Sequence, residues 1–246
     1  MKRLLTLGIG DIFQMGHVFR EGEVSARHNP EFTMVEWYRH TTDFSFFIEE
    51  TAEFIRLFLG NLPHKILSYR DAFRLFAQVD YLCAETEDLL QCIASHGIEI
   101  HFNETWDKDT LCYLIMSSII EPHLGKEEIL FLTDYPSSQA ALAQTEQKGD
   151  EIVAKRFEIF HQGIELANGY LELIDPNEQR KRFLEANSQR VKAGKQALPL
   201  DELFLAALKK GMPSCCGVAV GFDRLMMLRH QAKSLSEVIA FAWDEV

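Results

Sequence analysis

Among the five cysteines of this 246-residue chain, Cys83, Cys92, Cys112, Cys215 and Cys216, there is no CxxC pair and no zinc-ligand spacing. An odd count without such spacing argues against a disulfide framework or a zinc site, and for reduced, incidental thiols in a cytoplasmic chain. No apolar run approaches the roughly 18 residues that a membrane span needs, so no membrane association is expected. The N-terminus, Met1-Lys2-Arg3-Leu4-Leu5-Thr6-Leu7-Gly8, is basic and then apolar. The apolar part is short and Asp11 interrupts it, which excludes a signal peptide. Positive charge is in deficit, with 25 Lys and Arg against 37 Asp and Glu and a net charge of −12. That argues against broad binding to a nucleic-acid backbone, which needs clustered positive charge. No internal repeat, low-complexity segment or linker divides the chain, so residues 1–246 are expected to form a single domain.

What is present is a hydrophobic fraction of 47%, ordinary for a globular protein. Ile12 to Phe19 and Phe32 to Tyr38 read as two strands of an antiparallel hairpin joined by a long polar loop. A tip that long is usually functional. Asp43 to Leu59 reads as a helix, with Phe44, Phe47, Ile48, Ile55, Phe58 and Leu59 at helical spacing and Gly60 as its stop. Short helices are predicted over Tyr69–Phe76, Glu85–Ser95 and Asp107–Pro122, and a buried strand over Ile129–Asp134. Two strands are predicted between Arg156 and Leu173, with Asn168-Gly169 near a bend or bulge. Helices over Pro176–Lys192 and Asp201–Lys210, a strand over Val218–Phe222 and a final helix from Asp223 complete the pattern. Strands, then helices, then strands again predict an α+β domain on an antiparallel sheet flanked by helices.

Three segments carry chemistry. The first is the loop Phe19-Arg20-Glu21-Gly22-Glu23, continued by Arg27-His28-Asn29-Pro30-Glu31-Phe32. A loop that only turned the chain would favour Gly, Pro, Asn and Asp. This one holds two arginines, a histidine and carboxylates, and Arg20 at a strand end suits bidentate contact with phosphate or carboxylate. On the outgoing strand, alternation places Phe32, Met34, Glu36 and Tyr38 on one face. Glu36 among apolar neighbours needs a cationic partner, and a substrate ammonium would serve. The second segment, Gly163 to Leu173, sets Glu165 and Glu172 seven apart in apolar surroundings, consistent with binding Mg²⁺ beside phosphates. The third, Gly217-Val218-Ala219-Val220-Gly221-Phe222-Asp223-Arg224-Leu225, is a glycine-punctuated strand running into a helix. Such a strand allows close approach of a ligand.

In this order the three segments resemble motif 2, the Glu-x-x-Asn-Gly-x-x-Glu stretch and motif 3 of the class II aminoacyl-tRNA synthetases, in the lysyl-tRNA synthetase form. The resemblance implies that family's catalytic domain and an ATP site made by Arg20, Glu21, Gly22, Asn29, Phe32, Glu165, Leu166, Gly221 and Arg224. Arg20 and Arg224 would be the catalytic arginines, and Phe32 would stack on adenine. Glu165 and Glu172 would hold magnesium. Glu36, Tyr38, Glu172 and Ala219 would bind the amino acid. Ala219 stands where lysyl-tRNA synthetases usually have glycine. In this it is similar to the lysyl-tRNA-synthetase-like modifying enzymes of elongation factor P, which attach β-lysine, or less well lysine, to a lysine of the factor. Met1 to Leu5, Gln139 to Ala143 and Gly211-Met212-Pro213 resemble the same family.

Implied, then, are ATP and Mg²⁺ as cofactors, elongation factor P and lysine or β-lysine as partners, and ligation through an aminoacyl-adenylate. An anticodon-binding domain is not expected, which makes tRNA an unlikely substrate. The family's dimer-forming motif 1 and a Ser-Pro-Glu stretch precede the position matching Met1, so a homodimer is expected from the family yet without that segment. An upstream start, a fragment, or a shortened paralogue without catalysis are the readings this leaves open. The rivals are a lysyl-tRNA-synthetase-like paralogue charging tRNA and a non-catalytic paralogue that binds ATP or adenylate. A basic cluster, Arg180, Lys181, Arg182, Arg190, Lys192 and Lys195, is read either as a docking face for an acidic partner or as a solvated helix face.

Overall fold

The computed structural model describes residues 1–99 and 106–243. In chain order the elements are α1 (Lys2–Leu5), β1 (Ile12–Phe19), β2 (Glu31–Arg39), α2 (Phe44–Leu59), β3 (His64–Ser68), α3 (Tyr69–Ala72), α4 (Thr86–Ser95) and α5 (Lys108–Ile115). They continue with β4 (Ile129–Pro136), β5 (Thr145–Lys148), β6 (Glu151–His161), β7 (Ile164–Leu171), α6 (Pro176–Lys192), α7 (Glu202–Lys209), β8 (Cys216–Gly221) and α8 (Phe222–Arg229). The strands form one sheet in the order β1-β2-β8-β7-β6-β4-β3, with β5 pairing on β6. Among the described residues, β3 and β4 are the one neighbouring pair that runs parallel.

Side-chain alternation gives this sheet two different faces. On one, Val35 and Trp37 of β2, Phe157 and Ile159 of β6 and Val218 of β8 pack under α2 and α8. Helix α2 forms where the apolar spacing predicts. The Asp43 carboxylate accepts from Phe46 N at 2.9 Å as its N-cap, and Gly60, at φ +86°, ends it. On the other face, α3, α4 and α5 cover only the β4–β6 end, through Tyr69, Phe73, Leu89, Ile93, Leu111 and Ile115. At the far end α1 and α7 pack together around Leu5, Phe204 and Leu208. The stretch of this face between them, over β2, β8 and β7, is the floor of the candidate site.

The bulge expected near Asn168-Gly169 is present: both residues lie inside β7, and the register shift in its pairing with β6 falls at Leu166. The chain reverses earlier, at Gln162-Gly163, where both residues have positive φ (52° and 69°), a backbone suited to a two-residue hairpin turn. Gly169 is a glycine because the Phe157 ring lies across it and leaves no room for a Cβ. Strands β3 and β5 are additions: both are short, and β5 is exposed throughout. The five cysteines are free thiols, as expected. Among the described residues, no helix is long and apolar enough to cross a membrane.

One ion network ties α3 to the loop that follows it. Arg70 pairs with Asp80 at 2.9 Å and with Asp150 at 2.6 Å, and Arg74 reaches Asp80 at 2.6 Å. The Arg70 hydrogen bonds hold the Asp80 carboxyl well below the usual carboxylate range, against a desolvation penalty. A lowered folded pKa means stability present above the unfolded value and lost as pH falls through the folded one. Asp80→Asn is therefore expected to destabilise by about 1.5–3 kcal/mol at pH 7, the range for hydrogen bonds to charged groups. The difference should vanish once the carboxylate is protonated in both states, which urea titrations at neutral and strongly acidic pH would read.

Candidate active site

The hairpin β1–β2 presents the loop at one end of the open face. Backbone pairing runs the length of both strands, from Ile12 opposite Tyr38 to Phe19 opposite Glu31. A further bond, Arg20 N to Pro30 O at 2.8 Å, closes the loop's mouth. Arg20 thus leaves a fixed backbone, with its guanidinium 5.6 Å from the centre of the Phe32 ring and 3.3 Å from Glu23. Its side chain is 56% exposed, so it is free to meet a ligand.

A cavity of about 230 Å³ lies beneath. Arg20, Asn29, Phe32, Glu165, Leu166, Ala219, Gly221 and Arg224 all line it. Arg224 binds the three segments together: Nε donates to Arg27 O at 3.1 Å and Nη1 to Glu165 O at 2.9 Å, and Nη1 lies 3.7 Å from the Glu165 carboxylate. Next to it, Asp223 accepts from Thr33 N at 2.7 Å and fixes the start of α8 on β2. Asn29 faces the cavity, but its amide is engaged within the protein, donating to Glu31 O and accepting from Trp243 N. Glu21 and Gly22 do not line the cavity; they form an exposed turn, with Gly22 at φ +83°. Burial, followed by the Arg224 charge, pushes the His28 imidazole down, so it adds no positive charge at neutral pH.

A second cavity, about 180 Å³, adjoins the first, and Asn168, Tyr170 and Ala219 line both. Glu36, Tyr38 and Glu172 face it, as does Lys2. The Tyr38 hydroxyl donates to Glu36 at 2.7 Å. Burial and the Glu172 and Glu36 carboxylates push that phenol far above its ordinary range, so it stays a donor. Phe32, Met34, Glu36 and Tyr38 do share one face of β2, with the first pair in one cavity and the second pair in the other.

A register shift in β7 decides where the carboxylates go. Residues seven apart on a regular strand face opposite sides. Phe160 pairs with Glu165 while Ile159 pairs with Ala167, so Leu166 is an extra, bulged residue. The bulge turns Glu165 onto the face that carries Asn168 and Tyr170. Glu165 lines the first cavity and not the second; Glu172 lines the second and not the first. The Glu172 side chain is 2% exposed and ion-paired with Lys2.

Beneath both cavities runs a buried network that the sequence reading missed. The Arg156 guanidinium pairs with Glu158, donates to Gln139 O at 2.7 Å, and sits 4.2 Å over the Tyr135 ring. Glu158 also accepts from Asn168 at 2.9 Å and from Tyr135 at 2.5 Å. The available signal was Arg156-x-Glu158, two charges on the face of β6 that otherwise carries Ile152, Ala154 and Phe160. Burial, then the Glu158 charge, raises the Glu165 carboxyl, with Arg224 opposing; burial and Glu158 likewise bring Glu121 up to about 7. The basic cluster on α6 is largely tied down: Arg180 pairs with Glu202, and Arg182 with Glu178 and the carbonyls of Ala141 and Ala143.

The site is thus a cleft with an arginine at each side and an aromatic ring, beside an adjoining carboxylate-lined cavity. Residues 1–245 match the family described as tRNA synthetases class II (D, K and N), and the chain belongs to that family. The fold is accordingly the class II synthetase catalytic domain, as expected. Among its relatives is the elongation factor P–(R)-beta-lysine ligase of Haemophilus influenzae strain Rd, 44% identical over 244 residues, covering 99% of this chain and 75% of the relative. The ligases of the same name from Salmonella gallinarum and Klebsiella pneumoniae are each 43% identical over the same shares.

Proposed function

We propose that this protein is an ATP-dependent ligase that activates (R)-β-lysine or lysine as an aminoacyl-adenylate and transfers it to a lysine side chain of elongation factor P. The observation that carries the reading is the junction of the two cavities at Asn168, Tyr170 and Ala219. A nucleotide in the first and an ammonium-bearing amino acid in the second would meet there, α-phosphate against carboxylate. Relatives named for this reaction, at 43–44% identity along the chain, support the same reading.

In the first step the amino-acid carboxylate oxygen attacks the α-phosphorus of ATP, the bond to the bridging oxygen breaks, and pyrophosphate leaves. The chain's contribution is position and charge. Arg20, held by the hairpin, neutralises the α-phosphate and the carboxylate. Arg224, fixed by Glu165 and Arg27, faces the outer phosphates. Phe32 offers its ring to the adenine. Glu36, with Tyr38 donating to it, takes the distal ammonium, and Glu172 completes that cavity. In the second step a lysine amine of the partner attacks the mixed anhydride carbonyl and AMP leaves.

Magnesium would be held at Glu165, whose carboxylate faces the first cavity. Mg²⁺ is held by one or two carboxylates together with substrate phosphates. Glu165 supplies one at the cavity wall, whereas Glu158 is engaged by Arg156, Tyr135 and Asn168. Bound there, the ion would stabilise charge on the phosphates.

ATP–pyrophosphate exchange on the full chain tests the reading. Exchange that depends on (R)-β-lysine or lysine is the expected result. Exchange with neither, from a folded sample, would favour a nucleotide-binding paralogue without catalysis.

A further inference from the structure

The carboxylate-lined cavity contains a cation of the chain's own. Lys2 enters it from α1, and its Nζ pairs with Oε2 of Glu172. The pair is buried, with side-chain exposures of 15% for Lys2 and 2% for Glu172. Packing delivers the lysine there. Leu5, on the same helix, is fully buried and packs in a cluster with Tyr38, Phe204, Leu208, Met212 and Cys215, which docks α1 against α7.

Glu36 and Glu172 both face the cavity, and a carboxylate as deeply buried as Glu172 needs a partner to hold it. The other titratable groups around Glu172 are Tyr38, Tyr170, Cys215 and Cys216, phenols and thiols that burial keeps neutral. Lys2 is the cation that opposes the upward push of burial on Glu172. The second oxygen, Oε1, lies against the site of Gly217, where even a Cβ would overlap it and the Tyr38 ring. One oxygen of Glu172 is thus in the ion pair and the other is held at the cavity wall.

We propose that Lys2 is a positioning residue for amino-acid recognition: its buried ion pair holds the Glu172 carboxylate fixed at the wall of the cavity that receives the amino acid. This rests on the adenylate-forming reading above. It differs from a role in ATP binding, because Lys2 lines only the second cavity.

The test is amino-acid-dependent ATP–pyrophosphate exchange on the full chain carrying Lys2→Met, Lys2→Arg or Lys2→Gln. Lys2→Met is expected to raise the KM for the amino acid at least about 10-fold, with kcat and the KM for ATP within about 3-fold of wild type. Lys2→Arg keeps the charge and should stay within about 3-fold of wild type in every constant. Should Lys2→Met not fold, Lys2→Gln carries the test, since its amide still donates to Glu172; it should raise the same KM by at least about 3-fold. An amino-acid KM below wild type in the neutral variants would mean that Lys2 competes with the substrate, and would overturn the proposal. So would both KM values rising together, no change, or Lys2→Arg failing as badly as Lys2→Met. A wild type without amino-acid-dependent exchange would instead sink the adenylate reading, and this inference with it.

Discussion

Arg20→Ala should lower kcat for amino-acid-dependent ATP–pyrophosphate exchange by about 10²–10³-fold, or roughly 2.7–4 kcal/mol of barrier, the usual loss when one preorganised electrostatic group is removed. Its melting temperature should stay within about 2 °C of wild type, because an exposed substitution usually changes stability by less than about 0.5 kcal/mol. Both halves follow from placement. The backbone of Arg20 is pinned to Pro30, while its side chain is 56% exposed and, among the described residues, meets Glu23 and the Phe32 ring. The arginine therefore supports little of the fold and is aimed into the first cavity. Arg20→Lys should recover only part of the rate, since an ammonium cannot span two oxygens in the fixed fork of a guanidinium. Paired rate and melting measurements on the two variants check this. A loss of rate matched by a large loss of stability would mean that Arg20 is a structural residue.

Glu36→Gln should raise the KM for the amino acid by about 10²-fold, near 2.7 kcal/mol, within the range for removing one partner of a buried, hydrogen-bonded charge pair. The KM for ATP should hold, because Glu36 lines only the second cavity. Tyr38→Phe removes the hydroxyl that donates to Glu36 at 2.7 Å and should reproduce a milder form of the same effect, about 5–10-fold for a bond worth roughly 1–1.5 kcal/mol. Equal losses for ATP and amino acid in Glu36→Gln would place the carboxylate outside the amino-acid site.

The parts of this site that were legible in the sequence are those whose chemistry is local. Arg20, Phe32, Glu36 and Tyr38 lie on one hairpin, so alternation along β2 alone predicts which of them share a face. Arg224 follows its strand directly, and the α2 core is written in helical spacing closed by Gly60. What was hidden depends on partners distant in the chain. The bulge at Leu166 exists only through pairing with β6, and without it Glu165 would point to the opposite side of the sheet. The Lys2–Glu172 pair joins residues 170 apart, and nothing near Lys2 marks it as buried. Strand β5 was missed because its four residues are all exposed and carry no alternation. Glu21 and Gly22 belong to the motif by position, yet the turn points them away from the cavity.

The most direct test of the central claim is the intact mass of elongation factor P after incubation with this protein, ATP, magnesium and (R)-β-lysine or lysine. The account predicts a gain of one lysyl or β-lysyl mass on a lysine side chain of the factor, with release of AMP, and neither in the Arg20→Ala variant. Amino-acid-dependent exchange with an unmodified factor, and aminoacylation of tRNA in its place, would contradict it.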